Sequence, residues 1–295
     1  MLSTQEAFAK FRSRLELTEK EQADASRRQQ DIRAIMDENF DVDHDFLTGS
    51  YRRHTKSKPL KDVDIFCVLG PKEKHYRKET PDALLETVRK ALEKTYGAGA
   101  VNTQRRSVCV SFGVTVADDD AKDRVVSFDV VPAFTLGEDY EIPDLGTASW
   151  TKTNPRIHAE KAVAAHEAYD SEWKGLVRMM KYWNNSNGKP ITPSFLIEVM
   201  ALEVLQPPFG GDRAREMQFF FDTLAGRIDE SWLDPAGLGP PISDGMDAAK
   251  RSAARSALKG AELAAARAIA ASRDGRQGEA LQAWRTLLGP LFPLS

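Results

Sequence analysis

The sequence predicts an α+β fold with a mixed sheet in the first half of the chain and helices in the second. Residues 63–69 (VDIFCVL) form a short, nearly continuous apolar run, which is typical of a strand covered on both faces. Residues 107–116 alternate in polarity as a half-buried strand does, and residues 125–131 are predicted to return as the hairpin partner beyond the acidic stretch 118–120. Beyond Trp150 nearly every periodic segment is helical, so the architecture is predicted to change there.

Helices are predicted before, between and after these strands. Residues 3–38 are expected to form one long helix or two, because apolar side chains recur at helical spacing on either side of a polar middle. Thr80-Pro81 is a helix start signal and Gly97 a helix stop signal, and apolar residues at helical spacing lie between them. In the second half, the pattern predicts helices near 157–169, 172–185, 194–205 and 214–227, an Ala-rich helix near 246–271, and a last helix within 281–295.

We therefore divide the chain into three regions. An N-terminal helix, residues 1–37, is predicted to bridge two lobes. Residues 38–150 are predicted to form the catalytic core, and residues 151–295 the helical lobe. In this arrangement the active site is expected to lie between the lobes.

The composition is that of an ordinary globular protein. Apolar residues make up 41% and charged residues 29% of the chain, and the net charge is -3, which argues against a dedicated nucleic-acid or membrane binder. Cys67 and Cys109 are the two cysteines, and their apolar surroundings argue against a disulfide framework or a zinc cluster. We expect a cytoplasmic protein with no membrane segment, because neither a signal peptide nor a long apolar run is present. We expect no stable nucleic-acid partner, because the net charge is negative.

Three aspartates are the candidate catalytic residues. Asp62 and Asp64 stand at the entrance of the predicted buried strand, where alternation of side chains would point both to the same side, and Asp129 lies near the end of a later strand. Neighbouring carboxylates repel each other unless cations neutralise them, and three of them form a hard oxygen site suited to Mg²⁺, with Mn²⁺ as an alternative. Taken singly, the pair also fits a solvated strand entrance, and Asp129 also fits a salt bridge.

A predicted phosphate-binding turn precedes the carboxylates. Gly49 has no Cβ, so backbone N–H groups there can approach phosphate oxygens, and Ser50 adds a hydroxyl donor. An ordinary loop is the alternative interpretation of Gly-Ser alone. The order Gly-Ser, Asp-x-Asp and a third Asp is more informative than any of its parts.

These residues resemble the signature of the polymerase-β-like nucleotidyltransferases. The signature reads GSYRRHTKSKPLKDVDIFCVL at 49–69 and SFDVVPAF at 127–134. Within that superfamily the chain is most similar to the bacterial cGAS/DncV-like nucleotidyltransferases. Further segments that carry the resemblance are YEIPD at 140–144, Trp150, TNP at 153–155, VRMMKYWN at 177–184, TPSFLIE at 192–198 and AWRTLLGPLFPL at 283–294.

The resemblance implies a polymerase-β-like nucleotidyltransferase lobe packed against a helical lobe. It also implies synthesis of a cyclic di- or trinucleotide second messenger from nucleoside triphosphates, with ATP, GTP or others as substrates, in bacterial anti-phage signalling. Lys181 and Ser194 match positions at which relatives grip the donor triphosphate. A solvated lysine on an amphipathic helix and a helix N-cap are the alternative interpretations of these two residues.

Two rival functions stay open at this point. A linear oligonucleotide synthase, or a transferase that adds a nucleotide to another acceptor, would use the same carboxylates. A non-catalytic nucleotide-binding regulator would keep the fold and lose the site, whereas here the three aspartates and Gly49-Ser50 are all present. A regulatory protein partner is compatible with either enzyme, and the sequence does not identify one.

Overall fold

The chain consists of two compact units. A computed structural model describes residues 2–56, 58, 60–113 and 125–295. One unit, here called the sheet unit, comprises Leu17–His54 and Lys58–Ile157, and the other, the helical unit, comprises Met1–Glu16, Thr55–Ser57 and His158–Ser295. The division of the chain into regions 1–37, 38–150 and 151–295, which was made from the sequence, stays a prediction.

A mixed sheet forms the centre of the sheet unit. Its strands within the described residues are β1 (Val42–Leu47), β2 (Val63–Leu69), β3 (Val101–Thr103), β4 (Val108–Ser111), β5 (Ser127–Leu136), β6 (Asp139–Asp144) and β7 (Ser149–Thr153). The order is β1-β2-β5-β4-β3, with β6 paired to β5 and β7 paired to β6. The β2/β5 pair is parallel and the other pairs are antiparallel, so the predicted mixed sheet is confirmed.

The predicted strand pairing around the acidic stretch is also present. β4 and β5 run antiparallel, with Val110 opposite Phe128 and Ser111 opposite Ser127. The predicted turn at 118–120 and the end of the alternation at 114–116 lie outside the described residues. β1, β3, β6 and β7 are strands that the sequence pattern did not predict.

Two helices cover one face of this sheet. The region 3–38 forms two helices, α1 (Thr4–Arg14) in the helical unit and α2 (Glu19–Asn39) in the sheet unit, and each begins with a capping box. After the short α3 (Gly49–Arg52), α4 (Pro81–Tyr96) begins at Pro81 and ends before Gly97, as predicted. The apolar faces of α2 and α4 pack on one side of β2 and β5 in a core that includes Ile32, Met36, Val63, Ile65, Leu84, Leu85, Val88, Phe128 and Val130.

A buried carboxylate fastens one edge of the sheet unit. Asp144, at the end of β6, has a fully buried side chain that accepts hydrogen bonds from Arg105, Arg106 and the backbone N–H of Gly146. Burial acts to raise the pKa of Asp144, but the hydrogen bonds from the two arginines outweigh it and lower the pKa to about 2. The turn between β3 and β4 is thereby held to the end of β6.

The helical unit follows the predicted periodicity closely. Its later helices are α5 (Pro155–Ala168, which begins in the sheet unit), α6 (Trp173–Ser186), α7 (Phe195–Val204), α8 (Arg213–Arg227), α9 (Ala248–Arg273) and α10 (Gln277–Leu288). α9 runs through Gly260 without a break. α1 inserts Phe8 against Trp284 and Phe292, with ring centroids 4.9 and 5.2 Å away, so the apolar tail packs into the core. None of the helices in the described ranges is both long and apolar enough to cross a membrane.

Candidate active site

Asp64 and Asp129 are brought side by side by the parallel pairing of β2 and β5. They are register partners on the two strands. Side chains alternate across a strand, and Ile65 and Val130 point to the core under α2 and α4. Phe66 and Val131 belong to a smaller cluster on the opposite face. Asp64 and Asp129 therefore lie on that second face, where Asp129 is 8% exposed.

Asp62 reaches the same region by a route that the sequence pattern did not predict. β2 begins at Val63, and Asp62 has a φ of 50°, in the left-handed region. The strand alternation used to orient Asp62 with Asp64 therefore does not apply to it. Its orientation depends on Ser127: the hydroxyl of Ser127 donates to Asp62 Oδ1 at 2.8 Å and accepts from the backbone N–H of Asp62 at 2.9 Å.

Cys109 lies close to two of the candidate carboxylates. It lies opposite Asp129 in the β4/β5 register. Burial, the charge of Asp129, a hydrogen bond to Asp129 and the charge of Asp62 together raise the pKa of the Cys109 thiol to about 12. Two of the predicted catalytic carboxylates thus act on one thiol, which stays protonated near neutral pH. The sequence predicts no such role for Cys109, whose apolar surroundings argue only against a disulfide framework or a zinc cluster.

Gly49 lies directly against Asp64. It is the first residue of α3, with a φ of 61°, and a Cβ built on it would lie 1.6 Å from Asp64 Oδ2 and 2.5 Å from Asp64 Cγ. The backbone N–H of Thr48 donates to the carbonyl oxygen of Asp64 at 2.9 Å, which ties the turn to β2. Ser50 follows in α3 and is half-buried. Only glycine fits this turn because any side chain would occupy the space of the Asp64 carboxylate.

The chemistry of these donors fits a hard divalent cation. Carboxylate oxygens are the ligands that Mg²⁺ and Mn²⁺ prefer, whereas a thiol such as that of Cys109 suits softer metals. Within the residues that the structure describes, no three His, Cys, Asp or Glu side chains are grouped closely enough to hold an ion together. The protein thus brings carboxylates to neighbouring positions, while a closed three-carboxylate cage stays a prediction.

Lys181 and Ser194 belong to the helical unit. Lys181 lies on α6 with its side chain 4% exposed, and its Nζ is 2.5 Å from Oε1 of Glu198 on α7, which is 1% exposed. The alternative interpretation of Lys181 as a solvated lysine on an amphipathic helix is therefore wrong. Ser194 is exposed at the N-cap position of α7, but its side chain makes no capping hydrogen bond to the described backbone there.

Two functional candidates escaped the sequence analysis. Ser127 was not singled out, although it stands two residues before Asp129 and so faces the same side of β5. Glu198 was not singled out either. The signal that could have found it is a single acidic residue between apolar neighbours in FLIEVM, since buried carboxylates usually require a cationic partner.

Comparisons with known proteins agree on one family. Residues 2–165 match SMODS, the Second Messenger Oligonucleotide or Dinucleotide Synthetase domain. A protein of Bacillus cereus strain VD146, named "Probable cyclic nucleotide synthase", is 28% identical over 271 residues, which cover 83% of this chain and 81% of the relative. The Cyclic AMP-AMP-AMP synthase of Acinetobacter sp. strain ATCC 27244 / 9458 is 28% identical over 279 residues, which cover 85% of this chain and 73% of that protein.

Solved structures show the same fold. CdnC of E. coli MS115-1 with ATP superposes with a TM-score of 0.72 at 19% identity, and 98% of each chain is covered. The same CdnC in a complex with HORMA-deltaN superposes with a TM-score of 0.69 over the same share of each chain. At this level of identity the likeness concerns the fold. The matching family domain includes the whole of the Gly49, Asp62, Asp64 and Asp129 region.

Proposed function

The chain belongs to the family of the Second Messenger Oligonucleotide or Dinucleotide Synthetase domain and is a nucleotidyltransferase, and on that premise we propose its reaction. Nucleoside triphosphates, ATP among them, are joined into a cyclic di- or trinucleotide with release of pyrophosphate. Asp62, Asp64 and Asp129 carry the chemistry with a divalent cation, Mg²⁺ or Mn²⁺. Cyclic synthesis is supported by the names of the two relatives, and ATP is supported by the CdnC complex.

One observation carries this proposal for the site. Asp64 and Asp129 are register partners on one face of the sheet, and Gly49 approaches the Asp64 carboxylate so closely that no side chain fits between them. A phosphate-binding turn and two carboxylates at neighbouring positions can act on the same phosphoryl group. This is the arrangement that in-line transfer of a nucleotidyl group requires.

The proposed step begins with a ribose hydroxyl of the acceptor. Its oxygen attacks the α-phosphorus of the donor triphosphate, the bond from that phosphorus to the bridging oxygen of the leaving group breaks, and pyrophosphate departs with the electron pair. We assign Asp129 to accept the hydroxyl proton, which then passes to solvent. Gly49 and Ser50 are assigned to hold the donor phosphates through backbone N–H groups and a hydroxyl. A bound divalent cation would lower the pKa of the attacking hydroxyl and neutralise charge on the leaving group.

Lys181 and Ser194 are proposed to contact the donor triphosphate. Their match to positions at which relatives hold the donor triphosphate supports this. The buried pair with Glu198 gives Lys181 a structural role as well. Removal of Lys181 should therefore affect both stability and substrate use.

We further propose that the cyclic product is a second messenger in bacterial anti-phage defence and that the enzyme acts in the cytoplasm. The named function of the family domain and the two synthase relatives support the signalling role. A regulatory protein partner is also proposed, since the E. coli CdnC has been solved in a complex with HORMA-deltaN.

The test is to incubate the full chain with the four common ribonucleoside triphosphates and Mg²⁺, or in a parallel reaction Mn²⁺, and to measure pyrophosphate. After phosphatase treatment, mass spectrometry should find a product whose mass is a whole number of nucleoside monophosphates less one water per linkage. A ring survives phosphatase because it has no terminal phosphate. A ladder of linear oligomers would instead support the linear synthase. Failure to release pyrophosphate with either metal would support the non-catalytic regulator.

A further inference from the structure

We infer that Ser127 is a positioning residue that sets the Asp62 carboxylate for a divalent cation. The observation is a closed pair of hydrogen bonds through one hydroxyl. Ser127 Oγ accepts from the Asp62 backbone N–H at 2.9 Å and donates to Asp62 Oδ1 at 2.8 Å. The inference rests on the proposed function, because it assumes that Asp62 is a metal ligand.

The backbone explains why Asp62 needs this support. Asp62 precedes β2, and the parallel pairing of β2 with β5 begins at Val63, which lies opposite Phe128. With a φ of 50°, Asp62 adopts a conformation that non-glycine residues rarely occupy, although aspartate tolerates it better than most. The strand therefore does not orient this side chain, whereas it does orient Asp64 and Asp129.

One hydroxyl holds both the backbone and the side chain of Asp62. The bond from the backbone N–H holds the left-handed conformation, and the bond to Oδ1 holds the side-chain torsions. Ser127 is itself buried, at 6% exposed, and lies opposite Ser111 in the β4/β5 register, so the strand pair sets its position. Two residues further along β5 lies Asp129, so the strand that carries one predicted ligand also positions another.

The chemistry of the hydrogen bond suits a ligand role. An ionised carboxylate offers about four lone-pair directions, so accepting the Ser127 proton leaves acceptor capacity on the same group. Ligating carboxylates in proteins are typically hydrogen-bonded by neighbours of this kind, and loss of such a neighbour commonly weakens metal affinity or activity about 10- to 100-fold. The structure thus assigns to Ser127 an effect on metal affinity, beyond an effect on folding.

The test measures metal binding directly. Mn²⁺ is titrated alone into the full chain without nucleotide, and free Mn²⁺ is followed by electron paramagnetic resonance well below the melting temperature. Ser127→Ala is expected to weaken Mn²⁺ binding about 10- to 100-fold. Ser127→Thr, which keeps the hydroxyl, should stay near wild type. Ser111→Ala is the matched control, because it removes a hydroxyl from the residue directly opposite on β4 and keeps the Ser127 hydroxyl.

A second readout separates positioning from a structural role. In pyrophosphate release, Ser127→Ala should raise the Mg²⁺ concentration required for half-maximal rate more than it lowers the rate at saturating Mg²⁺. If Ser127→Ala does not fold, Ser127→Cys takes its place, because a thiol has similar shape and is a much weaker donor.

The outcomes are distinct. A folded Ser127→Ala or Ser127→Cys variant that binds Mn²⁺ as the wild type does, with only a lower melting temperature, overturns the inference and leaves the proposed function standing. Equal weakening in Ser111→Ala also overturns it, since the effect would then belong to the strand pair in general. A wild-type chain that neither binds Mn²⁺ nor releases pyrophosphate overturns the metal site itself, and the inference with it.

Discussion

Replacing Gly49 with alanine places a methyl group inside the space of a catalytic carboxylate. The new Cβ would lie 1.6 Å from Asp64 Oδ2, whereas real Cβ atoms essentially never approach a neighbour within 3.0 Å. The carboxylate oxygen must therefore move by about 1.4 Å or more, or the turn must withdraw by that distance. Asp64 Cβ, at 3.2 Å from the same point, leaves little room for a compensating backbone shift.

The expected cost falls on catalysis more than on folding. A displacement of about 1 Å in a catalytic group can lower the rate about 100-fold, so we expect at least that loss, which corresponds to about 2.7 kcal/mol. The backbone adds a separate penalty of about 1–2 kcal/mol in stability, because alanine is strained at a φ of 61°. Asp64 can relieve the remaining overlap by turning its side chain away, which preserves the fold and removes the carboxylate from the site.

Gly97→Ala separates these two contributions. Gly97 ends α4 in the same unit with a φ of 84°, and a Cβ there meets nothing within 4 Å. It should therefore lose stability through backbone strain alone and keep its activity. Pyrophosphate release at saturating ATP and Mg²⁺ gives the activity, and urea unfolding gives the free energy of unfolding. The steric reasoning would be refuted by a Gly49→Ala variant within a few-fold of wild-type activity, or by an equal activity loss in Gly97→Ala.

Three further predictions concern the catalytic carboxylates, the buried pair of Lys181 and Glu198, and the buried carboxylate of Asp144. Asp62→Asn combined with Asp64→Asn should abolish pyrophosphate release, at least thousandfold in rate, while circular dichroism shows an intact fold; near-normal release would rule out their assigned role. Lys181→Met should lower the free energy of unfolding by about 3–5 kcal/mol, because it removes the cation that pairs with the buried Glu198. Lys181→Met with Glu198→Leu should recover most of that loss in urea unfolding. Unchanged stability of the single variant would contradict the buried pair. Asp144→Asn should be less stable than wild type at neutral pH by about 2 kcal/mol, because the pKa of Asp144 in the folded chain is about 2 against an ordinary value of 3.8. That stability is present above about pH 4 and is lost as the pH falls through about 2, so the gap in urea unfolding should narrow over that range; a gap independent of pH would contradict the depressed pKa.

Local pattern was sufficient for the elements that bury a whole face or stripe. β2 could be predicted because six of its seven residues, all but Asp64, are apolar, and α4 because its start and stop signals bracket an apolar stripe. β6 (DYEIPD) and β7 (SWTKT) could not be predicted, because short, polar segments become strands only when a neighbour supplies their hydrogen-bonding partners. β6 pairs with β5 and β7 pairs with β6, so each takes its partner from the strand before it and not from an apolar pattern of its own.

The candidate site divides in the same way. Gly49-Ser50, Asp62, Asp64 and Asp129 could be selected from the sequence, since their residue types and order indicate the chemistry without any coordinates. The orientation of Asp62 could not be predicted. Its backbone is left-handed, so its side chain does not follow the alternation of side chains along the strand that begins at the next residue.

The sequence by itself determined the residue types of the site and the helices and strands whose side-chain period is local. The tertiary structure alone decided that Asp64 stands opposite Asp129, that Ser127 holds Asp62, and that Lys181 is buried against Glu198. The physical reason is the range of the interactions. Periodicity is set by backbone geometry within one or two turns of a helix or within one strand. Strand register, side-chain hydrogen bonds and buried ion pairs instead join residues that are far apart in the chain. The hydrogen-bonded residues Asp62 and Ser127 are 65 positions apart, and the paired residues Lys181 and Glu198 are 17 apart.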